Sequence, residues 1–514
     1  MPRRPAATGI PSLGAVDRTA GQVGRQIAQA LRAAIAKGEL KAGELLPSTR
    51  MLSASLRVAR GTVMEAFDQL QAEGYLESRV GAGTRVASTL ADQTLADQPL
   101  ARSPGSRGPA TPPIQLPPRA KRLAEVARAF TPMPEAPFAI AVPSGGVAPD
   151  DSWRRLGNRV RASRAATPSS YGDPRGLMEL RHAIADYVRK SRAVHCEPEQ
   201  VVITAGTQQG LYLAGRVLLT RGDHVWAEDP AYPGMTAVLD DLELVTTRVP
   251  VDAQGIDVDA GLAACPNARA AFVTPSHQYP LGMPISMARR KALLSWAQRH
   301  NGWIVEDDYD SELRYAGHPF PSLQGIDPSR VVYLGTLSKV LFPSLRLGYV
   351  VAPTPLVDAF AGARALLDRH SPTADQHVLA AYMREGFFEA HIRRIRGVYA
   401  ARRATLIAAL KRHMPRGVTL QPSDQGMHLL LWLPTGADDM RLAETALADG
   451  IVVRPISPMY QLAPRPGLML GFGGFSPDEL ETAALRLRRL MDQDGLGPPP
   501  QHHTARRDAI SRLS

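Results

Sequence analysis

Between residues 88 and 134 the chain reads STLADQTLADQPLARSPGSRGPATPPIQLPPRAKRLAEVARAFTPMP, dense in proline, alanine, serine and glycine and poor in apolar periodicity. Such a stretch cannot bury enough apolar surface to fold on its own account. The 514 residues must therefore fold as separate parts on either side of it. Residues 18–87 carry apolar positions at helical spacing, whereas residues 135–492 alternate short Val/Ile-rich runs with amphipathic segments. The second pattern predicts βα units around a mainly parallel sheet, an α/β fold. Residues 1–17 and 493–514 read as disordered tails. The stretch 88–134 reads as a linker with a short helix near Arg122–Phe130, and about 47 flexible residues reach roughly 35–40 Å. Its two LADQ copies are too short to be an architectural repeat.

Composition excludes several classes. A hydrophobic share of 44% with 21% charged residues is that of a globular chain. No run approaches the roughly 18 apolar residues of a membrane span; LLLWL at 429–433 has the length of a buried strand. MPRRPAATGIPSLG has no apolar stretch behind its arginines, so no secretory signal is expected. Two cysteines, Cys196 and Cys265, make neither a disulfide scaffold nor a zinc site, and a cytoplasmic location is expected. The histidines are scattered singles apart from His502-His503, so no metal site is expected. The formal charge is +11, and residues 1–135 hold 18 Lys and Arg against 11 Asp and Glu. A quarter of the chain thus carries over half the excess, which points to a polyanionic partner there.

That basic zone has a readable order. Val23, Ile27, Leu31 and Ile35 form one apolar stripe, and Gly38 stands where the helix should stop. Ser48 is placed to cap a second helix running to about Leu56. A third helix is expected over Gly61–Glu73, with Val63, Phe67 and Leu70 on its buried face. Tyr75–Val80, Gly81-Ala82-Gly83 and Thr84–Val86 then read as a hairpin. Three helices and a basic hairpin predict a winged helix-turn-helix, with Arg60 and Thr62 facing a major groove and Arg79 and Arg85 flanking the wing. The run LPSTRMLSASLRVARGTVMEAFDQLQAEGYLESRVGAGTRV resembles the DNA-binding domain of GntR-type regulators. In that resemblance Ser48, Arg50 and Arg60 fall at DNA-facing positions, and promoter duplex DNA is the implied partner. One departure is Ala59, where the family usually has serine, a lost cap that should cost around 1 kcal/mol.

In the second zone the informative residues sit at the predicted strand ends, where open α/β sheets bind ligands. Val201–Thr204 is followed by Ala205-Gly206-Thr207-Gln208-Gln209-Gly210, a turn that offers N–H groups to a phosphate. His224–Glu228 leads to Asp229-Pro230-Ala231-Tyr232. Trp303–Glu306 leads to Asp307-Asp308-Tyr309, and Val331–Leu334 to Gly335-Thr336-Leu337-Ser338-Lys339, with Arg346 seven residues on. Singly these are caps, packing aromatics and solvated lysines. Together they assemble a pyridoxal phosphate site. Lys339 supplies an amine for an imine with the cofactor aldehyde, Asp307 keeps the pyridine nitrogen protonated, and Tyr232 plates the ring. Tyr309 offers a hydroxyl, and Gly206, Thr207, Gln208, Thr336 and Arg346 cradle the phosphate.

SYGDPRGLMELR, ITAGTQQGL, TPSHQYPLG, EDDYDSELRY and GTLSKVLFPSLRLGY resemble fold-type I aminotransferases, and with the N-terminal zone the chain resembles the MocR subfamily of GntR regulators. The resemblance implies a winged helix tethered to an aminotransferase-like domain, a large sheet domain with a smaller α+β domain. It further implies a head-to-tail homodimer in which Tyr171 reaches the cofactor phosphate of the partner subunit. It leaves two departures. The loop His277-Gln278-Tyr279-Pro280 has Tyr279 where aminotransferases carry asparagine for the ring oxygen, which leaves that role to His277 or Tyr309. Gly467–Phe472 lacks the arginine that clamps a substrate α-carboxylate, with Arg454 and Arg465 as nearby candidates. The expected function is a regulator in which pyridoxal phosphate, or its adduct with an amine or amino acid, controls promoter binding. The alternative is a working aminotransferase fused to a DNA-binding domain.

Overall fold

The computed structural model describes residues 17, 21–79, 82–88, 115–143, 151–164, 168–421 and 423–496. The expected tails, apart from residues 17 and 493–496, lie outside the described residues, as do Val80 and Gly81 of the wing and most of the linker. The chain divides into two compact units, Met1–Leu116 and Pro117–Ser514.

In the first unit the apolar stripe folds as the helix Val23–Ala36, with Ile27 and Leu31 fully buried. The helix Thr49–Leu56 follows, then Arg60–Ala72, which starts one residue ahead of the expected Gly61. Val63, Phe67 and Leu70 join Ile27, Leu31 and Leu52 in one core. Strands β1 (Leu76–Arg79) and β2 (Gly83–Val86) pair antiparallel, Leu76 opposite Val86. Gly83 has φ +82 and a side chain there would press on Leu45, so the wing's return needs glycine.

In the second unit eight strands form one sheet. They are β3 (Val201–Thr204), β4 (His224–Asp229), β5 (Val245–Asp252), β6 (Gly255–Ile256), β7 (Ala270–Val273), β8 (Trp303–Asp308), β9 (Val331–Thr336) and β10 (Gly348–Val351). Their order is β3-β10-β9-β8-β7-β4-β5-β6. The run from β5 through β4, β7 and β8 to β9 is parallel, and β10 enters antiparallel between β9 and β3. Alternation sends Val202, Leu334 and Val350 to one face and Ile203, Tyr333 and Val351 to the other. Both faces are covered, which is why these strands are apolar at nearly every position. Because β4, β7, β8 and β9 run the same way, their C-terminal ends open on one edge.

A second sheet orders β11 (Thr419–Gln421), β12 (His428–Trp432), β13 (Arg454–Pro455) and β14 (Gly467–Gly471) as β11-β12-β14-β13, all antiparallel. The helices Phe387–His413 and Pro477–Gln493 pack against each other beside it. The second unit begins at Pro117 rather than at 135 because the helix Pro118–Ala129 rests on it. Arg119 donates to both carboxylate oxygens of Asp241 at 3.1 Å. Among the described residues no helix is long and apolar enough to cross a membrane.

Candidate functional site

The edge of the large sheet gathers the predicted residues. After β3 the chain turns at Gly206, φ +93, straight into the helix Thr207–Leu218. No side chain caps that helix, so its first-turn N–H groups face outward with their partial positive charge. The Arg346 guanidinium lies over the turn, donating to the Ala205 carbonyl at 2.5 Å. Ser338 Oγ is buried with no partner among the described residues. Thr336 Oγ1 accepts from the Ser338 N–H at 3.2 Å. Helix N-terminus, guanidinium and two hydroxyls make a set of donors suited to a phosphate.

Tyr232, half-buried after β4, stands edge-on to Tyr279 with ring centroids 5.4 Å apart. Burial pushes its hydroxyl pKa up to about 12. Gly234 is required here, since a Cβ would run into the Tyr232 ring and Gln208. Gln208 donates to the Gly234 carbonyl at 3.0 Å, and its buried Oε1 has no partner among the described residues.

The acidic end of β8 separates its carboxylates by strand alternation. Glu306 and Asp308 share one face. Glu306 accepts the Leu323 and Gln324 N–H groups at 3.0 Å each, and Asp308 pairs with Arg192 at 2.7 Å and takes the Tyr333 hydroxyl at 2.6 Å. Asp307 faces the other way, buried, with Oδ1 unpartnered among the described residues. Burial first, then the Asp308 charge, pushes its pKa up to about 8, with Lys339 pulling against them. Lys339 is half-buried, and burial lowers its pKa against the opposing pull of Asp310 and Asp307. A buried carboxyl lacking a donor fits a protonated pyridine nitrogen, and a lysine with a depressed pKa fits a nucleophilic amine. The donor set therefore suits pyridoxal phosphate at both of its ends.

His277 is buried, with Nδ1 2.9 Å from Asp310 Oδ2 and 3.0 Å from the Tyr309 hydroxyl. Gly426, φ +79, brings the turn before β12 against the ring, where a Cβ would collide with His277. His428 lies beside it, ring centroids 5.1 Å apart, and burial drops its pKa to about 3, so it stays neutral. Sequence alone does not single out Asp310, Gly426 or His428. Asp310 stands inside EDDYDSELRY, while Gly426-Met427-His428 precedes the apolar run of β12 and carries no motif of its own.

Tyr171 is not in this gathering. Its side chain is 74% exposed, held under Arg369, whose guanidinium lies 4.3 Å from the ring centre. In the first unit Ser48 caps its helix, accepting from the Met51 N–H at 3.3 Å, and Ala59 starts the third helix with no side-chain cap. Arg50, Arg60 and Arg79 are exposed and Thr62 is half-buried. Arg60 Nε lies 3.4 Å from Thr49 Oγ1, which joins the starts of the second and third helices. Arg85 is half-buried and donates to the Gly43 carbonyl at 3.0 Å, so it also braces the loop beside the wing.

A helical module with a two-stranded wing, on one chain with a fold-type I aminotransferase-like domain, defines a class of transcription regulator. The family of bacterial regulatory proteins called gntR matches residues 24–86, and aminotransferase class I and II matches residues 142–487. The chain belongs to the MocR family of GntR-type regulators. It is 37% identical to the "Probable rhizopine catabolism regulatory protein MocR" of Rhizobium meliloti, over 90% of this chain and 92% of that protein. It is 33% identical to the pyridoxine biosynthesis transcriptional regulator PdxR of Corynebacterium glutamicum, over 92% and 96%. Among solved structures, a kynurenine aminotransferase of Pyrococcus horikoshii in complex with PMP matches with a TM-score of 0.65 at 26% identity, covering 74% of this chain and 95% of that one. The α-aminoadipate aminotransferase of Thermus thermophilus, complexed with N-(5'-phosphopyridoxyl)-L-leucine, matches with a TM-score of 0.67 at 26% identity, covering 74% and 97%.

Proposed function

We propose that this regulator holds pyridoxal phosphate at Lys339 and that occupancy of the site by the cofactor, or by the cofactor with an amine ligand, controls promoter binding. The observation that carries this is the pairing of an unpartnered buried carboxyl at Asp307 with a depressed lysine at Lys339. An unsatisfied buried acid is costly unless something completes it. The solved relatives that carry PMP or a phosphopyridoxyl group support the same reading.

When bound, the cofactor supplies an aldehyde for the lysine and an electron-withdrawing ring. Asp307 would accept a hydrogen bond from the protonated ring nitrogen and keep it protonated, and Tyr232 would cover a ring face. His277, oriented by Asp310, serves the ring-oxygen end together with Tyr309. Gly206, Thr207, Gln208, Thr336, Ser338 and Arg346 hold the phosphate. Tyr171, exposed on its own subunit, reaches the site of the partner in a homodimer. Arg50, Arg60, Thr62, Arg79 and Arg85, with the helix start that Ser48 caps, face duplex DNA. Transaminase turnover is the weaker reading, because the stretch Gly467–Phe472 brings no arginine to clamp a substrate carboxylate.

The test is spectroscopic. Wild-type protein saturated with pyridoxal phosphate develops a visible absorbance band, borohydride fixes the added mass on Lys339, and Lys339→Ala shows neither. An absent band, or mass fixed elsewhere, refutes the cofactor assignment. Binding to the protein's own upstream region that is indifferent to cofactor and amine refutes the regulatory half.

A further inference from the structure

The helix Pro118–Ala129 and the residues flanking it place Leu116, Arg119, Leu123, Val126 and Phe130 at spacings of three and four, which is one helical face. That face is turned toward the helix Pro233–Asp241. Arg119 pairs with Asp241 at its end, and Leu123 and Val126 line a hollow beside it. An amphipathic helix ordinarily buries such a stripe. This one does not. No residue of the helix is buried, and Leu116, Leu123 and Phe130 are 51, 48 and 44% exposed.

The hollow explains the exposure. It holds about 300 Å³ and separates Leu123 and Val126 from Ala231, Pro233, Ala237 and Met459 on the body beneath. All six are apolar, so bringing the two sides together removes apolar surface from water. The floor is a joint between the two sheets. Ala231 and Pro233 flank Tyr232, and the Ala231 N–H donates to the Met459 carbonyl at 3.3 Å. The Asp229 carboxylate accepts the Gln461 and Leu462 N–H groups at 2.8 and 3.0 Å, which ties the loop after β4 to the connection from β13 to β14. Buried Arg248 stiffens the large-sheet side, donating to the Thr236 hydroxyl at 2.8 Å and the Glu228 carbonyl at 3.3 Å. The width of the hollow therefore follows the setting of the Tyr232 loop and the spacing of the sheets.

We propose that the helix Pro118–Ala129 is a strap that seats Leu123 and Val126 in this hollow when the cofactor fixes Tyr232, and stands off when it does not. This rests on the cofactor reading above and gives it a route to the tether. Beyond the strap the chain is anchored at Phe138, whose carbonyl accepts the Gly471 N–H of β14 at 2.8 Å. A seated strap leaves residues 88–117 between the DNA-binding unit and its attachment, and a released one leaves residues 88–137. Occupancy of the site thus sets how far the first unit reaches from the second.

The experiment follows hydrogen exchange by mass spectrometry on the full-length protein with and without pyridoxal phosphate, while absorbance reports the cofactor. Loading slows exchange across residues 120–129 by about tenfold or more, as an ordered element gains local stability. Leu123→Asp sets a charge in the hollow and abolishes the slowing with the absorbance band unchanged, whereas Leu123→Met keeps it. Ala237→Phe fills the hollow from the facing helix and abolishes the slowing with the strap's own sequence intact. In both blocked variants the change that cofactor makes to promoter affinity, read by fluorescence anisotropy, falls to a factor near one. A wild type with the band and unchanged exchange overturns the strap and leaves the cofactor reading standing. Slowing that survives Leu123→Asp, the mark of a small apolar molecule in the hollow, also overturns it, as does a promoter response that survives both blocked variants. A wild type without any band overturns the cofactor reading and the strap with it, so the two failures are told apart.

Discussion

Asp307 and Asp308 are neighbours with opposite fates, and one step along a strand decides which. Asp308 meets Arg192 and is spent structurally, while Asp307 turns to the open edge with its Oδ1 lacking a donor among the described residues. Its pKa rises from 3.8 to about 8, so between those values the folded apo protein binds a proton that the unfolded chain has released. Stability then falls as pH climbs through that window. Asp307→Asn removes the titration. The cofactor-free variant should be more stable than wild type at pH 8 by on the order of 1–3 kcal/mol, and the difference should vanish near pH 4. Chemical denaturation across pH measures it, and equal slopes for the two proteins would show that the carboxyl is not strained. The same variant should lose cofactor affinity at every pH, because asparagine cannot neutralise a protonated ring nitrogen. Gain without cofactor and loss with it is a pattern that a merely structural aspartate does not produce.

The third helix of the N-terminal unit begins at Arg60 behind an alanine, and its first turn lacks the acceptor that a serine would place there. Ala59→Ser should add about 1 kcal/mol to that helix start, seen as roughly fivefold slower hydrogen exchange at Gly61 and Thr62 in the full-length chain. Unchanged exchange would mean that the 3.1 Å contact from the Thr62 N–H to the Ala59 carbonyl already holds the turn. That missing cap was readable from sequence, as were the stripe of the first helix and the strands that deliver Gly206, Tyr232, Asp307 and Lys339. These features are local, set by a period of two or of 3.6 and by the residues at the turn that follows. What stayed hidden comes from elements brought together across long sequence distances. Gly426 and His428 reach His277 only because the small sheet folds over the large one's edge, and β13 is two residues long, with no periodicity to detect. The helix Pro118–Ala129 starts ahead of the expected Arg122, inside the stretch that reads as linker. Its attachment through Asp241 depends on a partner more than a hundred residues away.

In the proposed reading, a DNA-binding unit and a cofactor-holding unit on one chain share one coupled equilibrium. The basic zone supplies a binding term that counterion release makes salt-dependent, and Arg60→Ala should weaken promoter binding by roughly 1–3 kcal/mol if it reads a base edge. That loss should be the same with and without effector if Arg60 serves DNA alone. Lys339→Ala should do the converse, leaving basal DNA affinity in place while abolishing its response to cofactor and amine. Linkage then imposes a stricter condition than either variant. If an amine ligand changes affinity for the promoter by some factor, the promoter must change affinity for that amine by the same factor. Both factors are measurable on one sample, by fluorescence anisotropy of labelled duplex and by absorbance of the bound cofactor. A ligand whose affinity is indifferent to DNA shifts no population however tightly it binds. Matching factors above one in wild type, and a factor of one in Lys339→Ala, would trace regulation to the lysine that holds the cofactor.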